Sequence, residues 1–300
     1  MANRQGNTFH LVSIAVVPVL ESDRMALGVA LKEIVAEDPN FTYLIDFGSD
    51  QTILKGESDR HLDSKIDRLK RTYAIEVKIG PPQVAYRETL TRVVVIDHTF
   101  KKQKAGSGQF ARVKIQFEPL PTGSGFIFEN EVVGGVVPND YVLGVEKGLQ
   151  ASRENGVLAG YPVIDFKATL IDGAFHEIDS SEVTFEIATR AAFRELKELN
   201  AVSLLEPTMR VEVVTPDDFT GEVVADLVSR HGIVQGADQR GDAKVITAVV
   251  PLASMLGYTV ALGRLSQERA QFTMGFDHYS IVQAGDDDPG YFPSAMAMRA

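Results

Sequence analysis

FHLVSIAVVPVLESDRMALGVALKEIVAEDPN, residues 9–40, decides how this chain folds. Phe9–Val19 is a dense apolar run rich in Val and Ile, with Pro18 near its end, which is the pattern of a strand. Glu21–Glu37 then places Met25, Leu27, Val29, Leu31, Ile34 and Val35 at roughly helical spacing, and Pro39 stops the helix. Working outward, Phe41–Phe47 and Gln51–Gly56 read as a strand pair around Gly48-Ser49-Asp50. Ser58–Tyr73 is a helix with Leu62, Ile66 and Leu69 as its apolar stripe, and Glu76–Ile79 is a short strand before Pro81-Pro82. The order is βαββαβ.

The same order returns near the other end. Met209–Val214 is a strand, Asp217–His231 a helix, Ile233–Gln239 and Lys244–Val250 a strand pair, Leu252–Leu265 a helix and Gln271–Val282 a strand. Two such units predict two ferredoxin-like domains, similar in element order and not in sequence. Between them, Val93–Phe100 and Arg112–Phe117 are strands on either side of the loop KKQKAGSGQFA. Tyr141–Asn155 is helical. Pro162–Ile171 alternates Ile164, Phe166, Ala168 and Leu170 with Asp165, Lys167 and Thr169, a strand with one wet face. Glu182–Leu199 is a helix with Val183, Ile187, Ala191 and Leu199 on one side. The expected class is α+β, with domains at 1–81, 82–205 and 206–284 and a disordered tail at 285–300.

The bulk composition narrows the chemistry. The 300 residues include no cysteine, which excludes disulfides, thiolate catalysis and cysteine metal sites. No apolar run reaches the roughly 18 residues that a membrane helix needs, and the first residues lack the apolar core of a signal peptide. The net charge of −11 argues against a generally basic nucleic-acid binder. Its distribution is uneven, however. From His98 to Lys114 the chain carries Lys101, Lys102, Lys104, Arg112 and Lys114 with no Asp or Glu.

DGAFHEIDSSE, residues 172–182, gathers a His, several carboxylates and two serines. Asp172-Gly173 is a turn signal; Asp179, Ser180 or Ser181 can cap the following helix, and Glu182, three after Asp179, completes a capping-box pattern. Capping therefore absorbs the serines and carboxylates and leaves Phe175 and His176. A Ser180-His176-Asp179 triad is too local in sequence to converge, and there is no G-x-S-x-G. The six histidines include no H-x-x-x-H pair, and no G-x-x-x-x-G-K-[ST] phosphate loop occurs. AGSGQF (105–110), beside Lys101, Lys102 and Lys104, suits a polyanion better than a single phosphate; the bland alternative is an ordinary hairpin loop.

GPPQVAYRETL, KKQKAGSGQFARVKIQFEPL, NEVVGGVVPNDYVLGVEKGLQ, GVLAGYPVIDFKATLIDGAFHEIDSSEVTFEIA and LLEPTMRVEVVTPDDFTGEVVADLVSRHG resemble translation elongation factor G, in that order, over about Phe9–Val282. The resemblance covers the third, fourth and fifth of the family's five domains. It implies two ferredoxin-like domains and an elongated α/β domain whose tip enters the decoding centre during movement of tRNA and mRNA. The implied tip combines Lys101, Lys102, Lys104, Gly106, Ser107, Gly108 and Gln109 with Phe175, His176 and Asp179. The implied partners are the ribosome, through rRNA and the tRNA–mRNA of the decoding centre, and the GTPase and β-barrel domains of the parent chain. A monomeric cytoplasmic protein without a membrane partner is expected. GTP and Mg²⁺ belong to the parent; this stretch, lacking the GTPase domain, is expected to hold no cofactor and to catalyse nothing alone. Departures from the family include Lys104-Ala105-Gly106 in place of a Thr-Gly-Gly run and Glu268 in place of a Gly. They fit a divergent paralog or a ribosome-protection or recycling relative as alternatives to the principal factor; a stand-alone ribosome- or RNA-binding module encoded without a GTPase is a separate alternative.

Overall fold

The computed structural model describes residues 10–46, 51–104 and 107–282. The Gly48-Ser49-Asp50 connection, Ala105-Gly106 and the tail at 285–300 lie outside the described residues. The fold is α+β, with three sheets. The described parts of 1–85 and 206–280 form one compact unit, and 86–205 falls in a second.

The first sheet holds β1 (Val12–Pro18), β2 (Thr42–Asp46), β3 (Gln51–Gly56), β4 (Val77–Ile79) and β5 (Gln83–Val84), with α1 (Arg24–Glu37) and α2 (Asp59–Tyr73) in the connections. Strand order β2-β3-β1-β4 is that of a ferredoxin-like unit. Leu27, Ala30, Leu31 and Ile34 of α1 are buried, as are Leu62 and Leu69 of α2. Met25 and Val29, expected inward, face out at 85% and 59% exposure; a helix this short buries one stripe, and the Leu27-Leu31-Ile34 row takes it. Ser58 caps α2 by accepting from the His61 N–H at 3.2 Å. Burial acts to raise the Asp38 carboxyl, but hydrogen bonds from Lys65, His61 and the Asn40 N–H together hold it down at about 2.

The second unit contains β6 (Arg87–Leu90), β7 (Val94–Lys104), β8 (Ser107–Pro119), β9 (Phe126–Asn130), α3 (Asn139–Asn155), β10 (Phe166–Ala174) and α4 (Glu182–Glu198). The sheet order is β7-β8-β10-β9, with β9 and β10 parallel and joined through α3. Val113, Ile115 and Phe117 of β8 and Phe166, Ala168 and Leu170 of β10 belong to the same buried core as residues of α3 and α4. The buried face of α4 is Thr184, Phe185, Ala188, Thr189, Ala192, Phe193 and Leu196. This corrects the expected stripe: Val183, Ile187 and Leu199 are exposed by a third or more. Both rows repeat at helical spacing, and the larger area of Phe185 and Phe193 decides which turns inward.

The wet face expected for Pro162–Ile171 is also corrected. Asp165 is buried, at φ +56°, and accepts from the Gly125 N–H at 2.8 Å, while Thr169 is buried too. Asp172-Gly173 is not a turn but the end of β10, beyond a bulge after Leu170. A Cβ on Gly173 would sit 2.7 Å from the Arg112 carbonyl, so the glycine serves close strand approach.

α3 and α4 cross closely because two glycines one turn apart remove the side chains between them. A Cβ on Gly144 would stand 2.2 Å from the Glu182 carbonyl oxygen, and one on Gly148 would stand 2.8 Å from that of Glu186. Glu88 of β6 is fully buried. Its carboxylate accepts five backbone N–H groups. Oε2 takes Val157 (2.7 Å) and Leu158 (3.0 Å), and Oε1 takes Ala159 (2.8 Å), Gly160 (2.9 Å) and Tyr161 (3.1 Å).

β11 (Val202–Pro216), α5 (Thr220–Ser229), β12 (Ile233–Arg240), β13 (Ala243–Pro251), α6 (Leu252–Met255), α7 (Tyr258–Ser266) and β14 (Gln271–Ile281) repeat the βαββαβ order, with sheet order β12-β13-β11-β14. β11 begins seven residues before the expected Met209; residues 202–205 pair with β6 and residues 208–216 with β13. The helix expected over Leu252–Leu265 is broken at Gly257, which sits at φ +70° and donates its N–H to Asp59 Oδ2 at 2.8 Å. Gln267 and Glu268 both lie in the left-handed region, at φ +53° and +62°, a conformation that explains why a glycine suits position 268.

Burial pushes the Glu206 carboxyl up to about 7. The folded chain therefore keeps this proton between the ordinary carboxyl value and about pH 7, while the unfolded chain releases it. Stability falls as pH rises through that window. Glu206→Gln is expected to raise the unfolding temperature at pH 8, with the gain shrinking toward pH 4.5. A gain of equal size at both pH values would reject burial of the charge as its cause.

Candidate nucleic-acid interface

The stretch KKQKAGSGQFA is not a loop. β7 and β8 pair without interruption, with Lys101 opposite Phe110, Lys102 opposite Gln109, Gln103 opposite Gly108 and Lys104 opposite Ser107. Only Ala105-Gly106 separates the strands. The expected flexible glycine loop is therefore a β-hairpin arm. The exposed polar run Lys101-Lys102-Gln103 and the exposed Gln109 leave no apolar period to reveal it.

The segment after β10 lies against this arm. The Phe110 N–H donates to the Asp179 carbonyl at 2.9 Å, and Ser180 Oγ donates to the Phe110 carbonyl at 2.6 Å. Ser180 Oγ also accepts from the His176 N–H at 2.8 Å. Gly108 allows the approach: a Cβ there would be 2.5 Å from the Asp179 carboxyl. Helix capping falls to Ser181, which accepts from the Thr184 N–H at 3.2 Å, and Glu182 pairs with Lys147 instead. The expected Asp179–Glu182 capping box is thus corrected. Asp179 is the contact with the hairpin, and Ser180, left to capping by sequence spacing, is the staple between the two segments.

Lys101, Lys102, Gly108, Gln109, Phe175, His176 and Asp179 line one open groove of about 370 Å³, together with Gln103, Phe110 and Ala174. Gly106 lies outside the described residues, and Lys104 and Ser107 are placed by strand register alone. His176 stands 57% exposed, with Nδ1 turned inward toward the N–H groups of Ile178 (3.4 Å) and Asp179 (3.3 Å). That inward acceptor leaves Nε2 as the outward nitrogen. Phe175 packs edge-on against Tyr141 at 5.8 Å and so braces the turn from α3. Lys101 and Lys102 are exposed and make no ion pair among the described residues. Arg112 does not add to them. It donates to Asp97 at 2.8 and 2.5 Å and to Asp172 at 3.1 Å, and its hydrogen bonds hold the Asp97 carboxyl below its usual value.

Among the described residues, no group of His, Asp and Glu is arranged to hold a metal ion, and no helix is long and apolar enough to cross a membrane. An exposed groove with two free ammonium groups, an imidazole, an amide and glycine backbone offers donors for phosphate and hydroxyl oxygens.

Sheet order defines a class: an α+β chain with two ferredoxin-like βαββαβ sheets, separated in sequence by a unit that carries the β7–β8 hairpin. Residues 10–81 match the family described as Elongation Factor G, domain III; residues 82–199 match Elongation factor G, domain IV; and residues 203–288 match Elongation factor G C-terminus. Elongation factor G of Hyphomonas neptunium is 55% identical over 272 residues, covering 91% of this chain and 38% of that protein. A protein of Thermus thermophilus of known crystal structure is 36% identical with a TM-score of 0.70, over 90% of this chain and 40% of that one. The chain belongs to the elongation factor G family and corresponds to its C-terminal part, spanning about two fifths of the length of these relatives.

Proposed function

We propose that this chain is the ribosome-engaging part of a translational GTPase that promotes movement of tRNA and mRNA, and that the hairpin and the His176 turn form one RNA-contacting tip. In this reading residues 1–81, 82–205 and 206–284 act as three domains in the cytoplasm, and the chain works as a monomer. The partners are rRNA and the tRNA–mRNA of the decoding centre. GTP and Mg²⁺ would be held by the family's first domain, to which no motif in this sequence corresponds, so the chain itself is not the hydrolytic part. The observation that carries the reading is the contact of Gly108 with Asp179. It joins two segments about 70 residues apart into one groove whose outward groups are Lys101, Lys102, Gln109 and His176. None of these groups reads a base edge by fixed geometry, which suits a factor that must act on every codon.

His176→Ala in the full-length protein is expected to slow mRNA movement on pre-translocation ribosomes by roughly tenfold, the worth of about 1.4 kcal/mol in the rate-limiting barrier. Lys101→Glu with Lys102→Glu is expected to weaken ribosome binding and flatten its salt dependence. Unchanged movement and unchanged binding in both variants would remove the tip from the mechanism.

A further inference from the structure

A second basic surface lies well away from the tip. α4 carries Arg190 and Arg194 one turn apart, facing Ser152 and Asn155 in the last turn of α3 across a cleft of about 190 Å³. The floor is Gly156-Val157. That floor is fixed: the Val157 N–H is held by the buried Glu88 carboxylate at 2.7 Å, and a Cβ on Gly156 would meet the Tyr161 carbonyl at 2.1 Å. Phe193 of the core closes the back. No carboxylate lines the cleft, although the chain carries a net charge of −11. Arg190 is paired with Glu186 at 2.6 Å, whereas Arg194 is exposed and makes no ion pair among the described residues.

We propose that this cleft is a second RNA-backbone site, in which Arg190 and Arg194 bind a phosphate and Ser152 and Asn155 bind the adjoining ribose. Two guanidinium groups present paired donors to one phosphate. The α3 end brings the opposite polarity, because the last carbonyls of a helix carry partial negative charge; that of Arg153 accepts from the Val163 N–H and that of Ala151 from Asn155 Nδ2, each at 2.7 Å, which leaves the Asn155 side-chain oxygen and Ser152 to meet the ribose. A free phosphate ion gains nothing from that wall; a ribose 2′-hydroxyl can donate to it. Ser181, which caps α4 beside the tip, lies thirteen residues before Arg194, or about 20 Å along the helix axis, so one RNA contact can occupy each end of α4. The choice of RNA as ligand rests on the ribosomal reading above; the cleft geometry does not.

The full chain is titrated against purified 70S ribosomes over a range of salt, and against an RNA hairpin and a DNA hairpin of the same sequence. Arg194→Gln, which breaks no ion pair among the described residues, is expected to lose threefold or more in ribosome affinity. Arg190→Gln with Arg194→Gln is expected to lose tenfold or more, with the salt slope reduced by about one per lost phosphate contact. Arg194→Lys, which keeps the charge but loses the planar fork, is expected to fall between the parent and Arg194→Gln, and RNA is expected to bind more tightly than DNA. Unchanged affinity and slope in both Gln variants overturn the proposal. Saturable binding of inorganic phosphate that is lost in those variants, with ribosome binding intact, overturns RNA as the ligand. Lys101→Glu separates the two sites: if it has no effect while the arginine variants weaken binding, the tip reading fails and the cleft stands.

Discussion

Replacing Glu88 by Ala is expected to unfold the middle unit at temperatures where the parent chain is stable. Five backbone donors converge on this one carboxylate, which is completely buried. Removing this acceptor strands backbone N–H groups at about 1–3 kcal/mol each where water does not reach them. Against a total stability of about 5–15 kcal/mol, a loss of that size is decisive. Glu88→Gln supplies the internal comparison. Its amide oxygen can serve one set of donors, but its NH₂ faces the other set. Its loss should be roughly half that of Ala. Denaturant unfolding of both variants decides the matter. Equal stability of Gln and Ala would show that shape, not the two acceptor oxygens, holds the loop at 157–161.

The second large effect concerns two glycines that look alike in sequence. Gly144 in α3 and Gly28 in α1 are both helical. A Cβ on Gly144 would be 2.2 Å from the Glu182 carbonyl, which is backbone and cannot swing away, whereas a Cβ on Gly28 meets nothing within 4 Å. Gly144→Ala should force α3 and α4 apart and cost about 2–3 kcal/mol, as overpacking does. Gly28→Ala should stabilise by about 0.5–1 kcal/mol through helix propensity alone. Opposite shifts in unfolding temperature are the expected result; a gain at both positions would mean that the helix crossing tolerates a methyl group.

The two βαββαβ units were legible because their apolar residues follow periods of two and 3.6 between clear breaks such as Pro39 and Pro81-Pro82. What escaped has physical causes. The Val183-Ile187 and Phe185-Thr189 rows of α4 share one period, so spacing alone does not say which is buried. β7 and β8 lose their apolar alternation beyond Phe100 and Phe110, where Lys101, Lys102, Gln103 and Gln109 are exposed, and the arm reads as loop. Glu88 has no signature, since its partners are backbone groups that look the same in every residue. In the hairpin and the turn after β10, glycines and serines were suggestive, but assigning Ser180 to the hairpin staple and Ser181 to the helix cap requires the register of strands far apart in sequence.

The continuous pairing of β7 and β8 up to Lys104 and Ser107 makes the arm a ruler. In a paired ribbon, length changes only in steps. One extra residue in each strand adds about 3.4 Å of reach but turns every side chain beyond it to the opposite face, while two in each add about 6.8 Å and preserve the faces. A longer or shorter arm that keeps its faces would have to change by two residues per strand, so length variation here should be quantised.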